Sequence, residues 1–301
     1  MARYRRSVRI APLDRTKLVA ATRVLAAGCA FDRAADVADE KLFAPGPDMP
    51  AIAFGAEEGS ELVGVAAVSG RWLRLIAVVP EARGAGIGSA LLAQCETAAR
   101  SVGAPRLRAL DQPGNYLAPG VDERNREAIG WLERRGFVRG ELRDNVLIAV
   151  RDNPRVTAER AAELAARCGA IGYEIRRARS DETALCDAVA GEFGGAWPFE
   201  LSRALGHEPA GVHVAIHAGA YCGFAAHDGN NRGLGWFGPT GTWPAHRGKG
   251  LGEALLIACL VDVAAAHDRC EVAWIGPRPF YEKVAGIVED RRFVSLVKPL
   301  S

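Results

Sequence analysis

Pro80-Glu-Ala-Arg-Gly-Ala-Gly-Ile-Gly-Ser-Ala-Leu-Leu-Ala-Gln-Cys95 recurs 164 residues later as Pro244-Ala-His-Arg-Gly-Lys-Gly-Leu-Gly-Glu-Ala-Leu-Leu-Ile-Ala-Cys259, with nine of 16 positions identical. A second echo follows each copy. Trp131-Leu-Glu-Arg-Arg-Gly-Phe137 answers Phe280-Tyr-Glu-Lys-Val-Ala-Gly-Ile287, now at an offset of 150 to the glycine. The second copy therefore lacks about 14 residues between its two signatures. A repeat of half the chain length means two similar domains, not a solenoid of short units.

Working outward, each copy reads the same way. A first strand (Ser7-Val-Arg-Ile10; Tyr173-Glu-Ile-Arg176) leads into helical segments over 14–42 and 180–206. Hairpins are expected at 51–55 with 61–68 and at 212–217 with 220–227. A further strand enters the glycine-rich turn, followed by a helix (87–101; 251–267), a strand (106–110; 271–275), a helix with the second signature and a last strand (144–150; 292–298). Strands interleaved with helices give an α/β or α+β layered fold. The break at Arg151-Asp-Asn-Pro154 divides the chain into a domain over 1–152, a linker helix over 153–170 and a second domain over 171–301.

The 301 residues, 49% hydrophobic and 25% charged, suit two globular domains and exclude disorder or a disulfide-dense mini-fold. Basic and acidic residues number 38 and 36, so nothing in the charge points to a nucleic-acid partner. No run approaches the roughly 18 apolar residues of a membrane span. Arg3, Arg5 and Arg6 are followed by no apolar segment, so no secretory leader is expected. Seven scattered cysteines without a paired motif read as reduced, mostly buried thiols in a cytoplasmic protein. His267 and Cys270 lack a second ligand pair, so no metal is expected.

Closely spaced glycines between a strand and a helix let backbone N–H groups converge on an anion, and the helix adds its positive end. A pyrophosphate suits such a turn, with Arg83, or Arg247 and Lys249, adding counter-charge. Two nucleotide motifs fail on spacing. Ser89 and Glu253 stand where the dinucleotide fingerprint needs its third glycine, and no Gly-Lys-Ser/Thr occurs where a P-loop needs one. What fits is Arg-x-x-Gly-x-Gly, at 83–88 and again at 247–252.

These residues resemble the GNAT acetyltransferase family, whose turn between fourth strand and third helix binds the pyrophosphate of coenzyme A. The second signature is similar to the family's Phe-Tyr-Glu-Lys-x-Gly-Phe helix, and Asn125-Arg-Glu-Ala128 to its Asn-x-x-Ala variant. The resemblance implies two tandem domains, each a mixed, mostly antiparallel sheet flanked by helices. It implies acetyl-CoA contacts from Val78, Val79, Arg83, Gly84, Ala85, Gly86, Ile87, Gly88 and Asn125 in the first copy. In the second it implies Thr242, Trp243, Arg247, Gly248, Lys249, Gly250, Leu251 and Gly252. The family's general acid is a tyrosine on the last helix. Tyr281 stands there in the second copy and Leu132 in the first, so the expectation is an active C-terminal domain beside a catalytically degenerate N-terminal one.

No residue stands out as a general base. Glu271, Asp228 and Glu200 each read as solvated surface charges, and His227 and His246 are equally weak. Trp197, Phe199 and Glu200 lie in the segment that lines the family's acceptor pocket. Gly114-Asn-Tyr-Leu-Ala-Pro-Gly-Val-Asp122 looks like a segment of tandem members, some of them linked to amino-sugar acetylation; mycothiol synthase is another tandem member. The expected reaction is direct acetyl transfer to a primary amine of a small molecule, first of all an amino sugar. The alternatives are an antibiotic, a polyamine or a protein amine as acceptor, or an acyl-CoA-binding scaffold without catalysis. The oligomeric state stays open.

Overall fold

The computed structural model describes residues 8–300; Arg3, Arg5, Arg6 and Ser7 lie outside the described residues. Two compact units emerge, Met1–Arg143 with Arg292–Ser301, and Asp144–Arg291. In the first, β1 (Val8–Pro12), β2 (Ile52–Glu58), β3 (Glu61–Ser69) and β4 (Trp72–Val78) form an antiparallel run. Helices α1 (Leu18–Gly28) and α2 (Ala38–Phe43) connect β1 to β2. Helix α3 (Ile87–Ser101) crosses over to β5 (Arg106–Ala109), which pairs parallel to β4. A short β6 (Val121–Asp122) and α4 (Arg126–Glu133) follow. Ile87, Leu91, Leu92, Cys95 and Ala99 make the buried stripe of α3, the helical spacing of an amphipathic element on a sheet.

The second unit repeats this order. β8 (Glu174–Arg177), β9 (Val212–His217), β10 (Ala220–His227) and β11 (Trp236–Thr242) are antiparallel, with α6 (Ala184–Glu192) and α7 (Trp197–Leu205) between β8 and β9. α8 (Leu251–Ala264) leads to β12 (Arg269–Val272), parallel to β11, and α9 (Arg278–Val284) follows. Both units are thus mixed, mostly antiparallel sheets flanked by helices. Among the described residues no helix is long and apolar enough to cross a membrane. All seven cysteines are free, five of them buried.

The last strands are exchanged. β7 (Val138–Ala149) follows α4 in the chain, yet Val146–Ala149 pair antiparallel with β12 of the second unit. β13 (Glu289–Pro299) follows α9, yet Phe293 and Val294 pair with β6, and Val297–Pro299 with β5, in the first unit. The expected division at residue 152 is therefore corrected: each copy's sheet is completed by the other copy's last strand. The expected linker helix is corrected too. α5 (Ala158–Gly169) puts Leu164 and Cys168 into the core of the second unit. It covers α8, whose buried residues surround the helix and so need partners on every side.

Leu296 is fully buried among Leu107 and Val121 of the first unit's core. Leu296→Ala should cost ~2–5 kcal/mol of stability. Amide hydrogen exchange should then lose protection in β2–β5 while β9–β12 keep theirs. Loss confined to β9–β12 would refute the strand assignment.

Candidate active site

Each glycine turn starts where the parallel strand pair opens. Only Trp72 and Leu73 pair with β5, and only Trp236 and Phe237 with β12, so the carboxyl halves of β4 and β11 diverge from their neighbours. A 3₁₀ turn at Pro80–Ala82 or Pro244–His246 then leads into the glycines. Gly84 and Gly86 have φ of 78° and 85°, and Gly248 and Gly250 have 75° and 83°, left-handed values that glycine adopts without penalty. Gly86 and Gly250 cap α3 and α8 with no side-chain acceptor, so the first-turn N–H groups face outward without an intrahelical partner. Space around both is open: no atom lies within 4 Å of where a Cβ would stand. This is an anion cradle, built twice.

The arginines brace it. Arg83 Nε donates to the Val78 carbonyl at 3.2 Å, and Arg247 Nε to the Thr242 carbonyl at 3.1 Å, the same bond at the offset of 164. Arg83 Nη2 also donates to the Gly28 carbonyl, and Nη1 faces Glu127 at 3.7 Å. Arg83 therefore holds the turn against β4 and α1 instead of standing as a loose counter-charge; Lys249 is exposed beside the second turn.

In the first unit a cavity of about 550 Å³ opens from the turn. Val78, Gly84, Gly86, Ile87, Gly88 and Asn125 line it, as does Arg83; Val79 and Ala85 do not. Asn125 also caps α4, its Oδ1 accepting from the Ala128 N–H at 3.2 Å. Three groups of lining residues were not foreseen. Cys29, Phe31 and Asp32 come from the α1–α2 connection, Leu110 directly follows β5, and Leu117 and Val121 come from the stretch the second copy lacks. That stretch is almost wholly buried from Asp111 to Asp122, so it acts as a wall. Burial, with Asp32 adding and Arg83 opposing, pushes the Cys29 thiol up to about 12. It holds its proton at neutral pH and is no nucleophile. Leu132 occupies the place of the tyrosine and lines the cavity.

In the second unit Tyr281 is 5% exposed, its ring edge-on to Phe237 and Phe280 at 6.3 and 5.1 Å. Burial first, then the neighbouring Cys270, pushes its hydroxyl up to about 12. Leu251 is buried in the core of this unit, whereas Gly252 opens α8 beside Phe280. Trp243 packs on Phe193 and Phe224, and Trp197 packs on the same two rings at 5.2 and 6.1 Å. Gly241 admits this packing, since a Cβ there would stand 2.7 Å from the Phe193 ring. Trp197 is thus half-buried and packed against the core of the second unit. Phe199 lies under Arg203 at 5.8 Å, and Glu200 is buried, not solvated.

Residues 27–137 match the sequence profile of the acetyltransferase (GNAT) family. The first copy is a GNAT acetyltransferase domain. No curated protein sequence matches the chain. Among solved structures it is similar to a tandem GNAT protein from the clavulanic acid biosynthesis pathway, at 19% identity and a TM-score of 0.68, covering 98% of this chain and 99% of that one. It is also similar to a GNAT protein of Sphaerobacter thermophilus, at 17% identity and TM-score 0.64, over 97% and 96% of the two chains. A third likeness is to the glucosamine N-acetyltransferase region of a fungal multi-domain β-N-acetylglucosaminidase, at 17% identity and TM-score 0.75. It takes in 97% of this chain, which spans only 38% of that protein. The whole chain has the tandem GNAT fold.

The weak base candidates of the second GNAT-like unit are accounted for. Glu271 is buried and held by Arg291 Nη1 at 2.9 Å and Asn145 Nδ2 at 2.6 Å, which corrects its reading as a surface charge. His246 Nδ1 meets the Tyr173 hydroxyl at 3.0 Å. His227 lies between Asp228 (3.0 Å) and Asp262 (3.4 Å), and Asp262 also receives Arg177 and His213. Burial opposes a charge on His227, but the hydrogen bonds and charges of Asp228 and Asp262 outweigh it and raise its pKa to about 9. A histidine that keeps its proton to pH 9 is no base at neutral pH. An unfolded histidine titrates near 6.5, so this pair network contributes stability that is complete below about pH 6.5 and lost as pH rises towards 9. The urea midpoint of the second unit should fall across that window, and His227→Gln should flatten the slope. A wild-type midpoint that stays level would contradict the assignment.

Proposed function

We propose that the chain is an acetyl-CoA-dependent N-acetyltransferase acting directly on a primary amine of a small molecule, with an amino sugar as the favoured acceptor. The observation that carries this reading is the duplicated cradle, with its left-handed glycines, open helix N-terminus and arginine brace repeated at one offset. The residues fit a pyrophosphate, because outward N–H groups and open space coincide at Gly86 and at Gly250. The fold likeness to a glucosamine N-acetyltransferase region supports the acceptor class.

Bound acetyl-CoA supplies an activated thioester. The turns anchor the pyrophosphate through backbone N–H groups, while the diverging halves of β4 and β11 leave backbone groups facing the opening. Tyr281 serves the second unit by keeping its proton: a hydroxyl raised to about 12 stays a hydrogen-bond donor towards a leaving sulfur at any working pH. Glu271 is held by Arg291 and His227 by Asp228 and Asp262, so the acceptor amine loses its proton to water. Cys29 holds its thiol proton, which favours direct transfer over an acyl-enzyme.

Tyr281→Phe should lower turnover about 10- to 100-fold while acetyl-CoA affinity stays within twofold, a split that removal of a transition-state donor produces. Unchanged turnover would remove Tyr281 from the mechanism. The cavity of the first unit favours one second reading, in which transfer occurs there without a side-chain acid. Gly86→Glu and Gly250→Glu separate the two. Each adds left-handed strain of roughly 1–2 kcal/mol but meets no atom, and its carboxylate repels the pyrophosphate. Calorimetric titration with acetyl-CoA should show two sites, each lost with its own substitution, and only Gly250→Glu should abolish turnover. Turnover lost with Gly86→Glu alone would move the chemistry to the first unit.

A further inference from the structure

The connection from β12 to α9, residues 273–277, is far shorter than residues 110–125 between β5 and α4, yet it bends the chain in the same way. Leu110 makes the bend in the first unit at a φ of 70° and lines the cavity there. In the second unit Trp274 makes it, at a φ of 46°. A bulky side chain in this region is an outlier, and such strain persists only where its surroundings enforce it. Here they do. The Trp274 N–H donates to Oδ1 of Asn145 at 2.9 Å, and the Ile275 N–H to the Asp144 carbonyl at 2.9 Å. Asn145 is fully buried, and its Nδ2 is spent on Glu271, which Arg291 neutralises.

A bend alone is made more cheaply by glycine or asparagine, and Gly276 stands two residues on. Trp274 is also 41% exposed, a large apolar ring left open to solvent over much of its surface. The strain keeps an indole at the surface, at the carboxyl end of β12, beside the opening to β11 and ahead of the helix that carries Tyr281. Ligands of open α/β sheets bind outside the carboxyl ends of such parallel strands.

We propose that Trp274 is the stacking platform for the acceptor, taking the apolar C–H face of a hexosamine ring, and that Asn145 and the Glu271–Arg291 pair are its positioning residues. This inference rests on the acetyl-transfer reading for the chemistry, but the platform binds whether or not transfer follows. An indole suits a hexosamine because it offers a broad apolar face and attracts the amine's positive charge through its π-system.

The test is titration of glucosamine into the full chain, followed by ligand-observed NMR, with spermidine as the comparison amine and acetyl-CoA titrated separately. Trp274→Ala should weaken glucosamine binding at least tenfold, and Trp274→Phe should stay within threefold of wild type. Acetyl-CoA affinity should be unchanged in both. Asn145→Ala should weaken glucosamine less than Trp274→Ala does, since it releases the bend and leaves the ring. Glucosamine bound alike by wild type and Trp274→Ala, no glucosamine binding by wild type, or a loss confined to spermidine would each overturn the platform. Binding that depends on Trp274 without any acetylated product would leave the platform standing and refute the transfer reading alone.

Discussion

Two residue pairs hold each parallel strand pair together, Trp72 and Leu73 to β5 in one unit, Trp236 and Phe237 to β12 in the other. Everything functional depends on how short that pairing is. Past it, β4 and β11 run on without a neighbour on one side, which leaves backbone groups unpaired and opens a wedge in an otherwise closed sheet. The crossover helix must start close to the wedge, so the chain turns sharply, and glycines reach the left-handed values this requires without penalty. The same sharp turn strips the helix of a side-chain cap. Wedge, turn and bare helix end are thus one structural consequence, and together they suit an anionic ligand with an extended apolar arm.

The two copies then diverge by what fills the wedge. In the first, the stretch from Asp111 to Asp122 is buried and contributes to the cavity wall, and Leu132 stands there in place of the tyrosine. In the second, deletion of that stretch brings β12 within five residues of α9 and turns the connection into a strained bend with an exposed indole. Tyr281 faces aromatic neighbours whose desolvation holds its proton in place. A length difference of about 14 residues therefore separates a unit with a cavity of about 550 Å³ from one that carries Tyr281 where the first has Leu132.

The parts legible in the sequence are those governed by local rules. Turn glycines, the amphipathic spacing of α3 and the placing of the hairpins depend on neighbours in the chain, and the structure has them where the residues indicate. Non-local choices were hidden. Nothing in the alternation of β7 or β13 says which sheet a strand joins, since either sheet offers the same edge, and so the division at 152 looked natural. The all-round burial of α8 was a usable signal for a covering helix, and α5 is that helix. Trp197 and Trp274 show the limit most clearly. Both are tryptophans near a helix start, but only tertiary packing distinguishes the half-buried ring beside Phe193 from the exposed one whose backbone N–H bonds Asn145.

The strand exchange gives that last pair a wider meaning. Asn145 lies in the chain of the first copy, yet it belongs to the sheet of the second unit, where it completes the bend that presents Trp274. Val146 and Ile148 likewise contribute their side chains to the second unit's core, and Val294 and Leu296 theirs to the first. Selection on the second site therefore acts on sequence encoded in the first copy. A chain severed at residue 152 would leave each sheet without its closing strand, because β5 and β12 would each expose an unpaired edge. The exchange makes each copy indispensable to the other's sheet, whatever the chemistry of either.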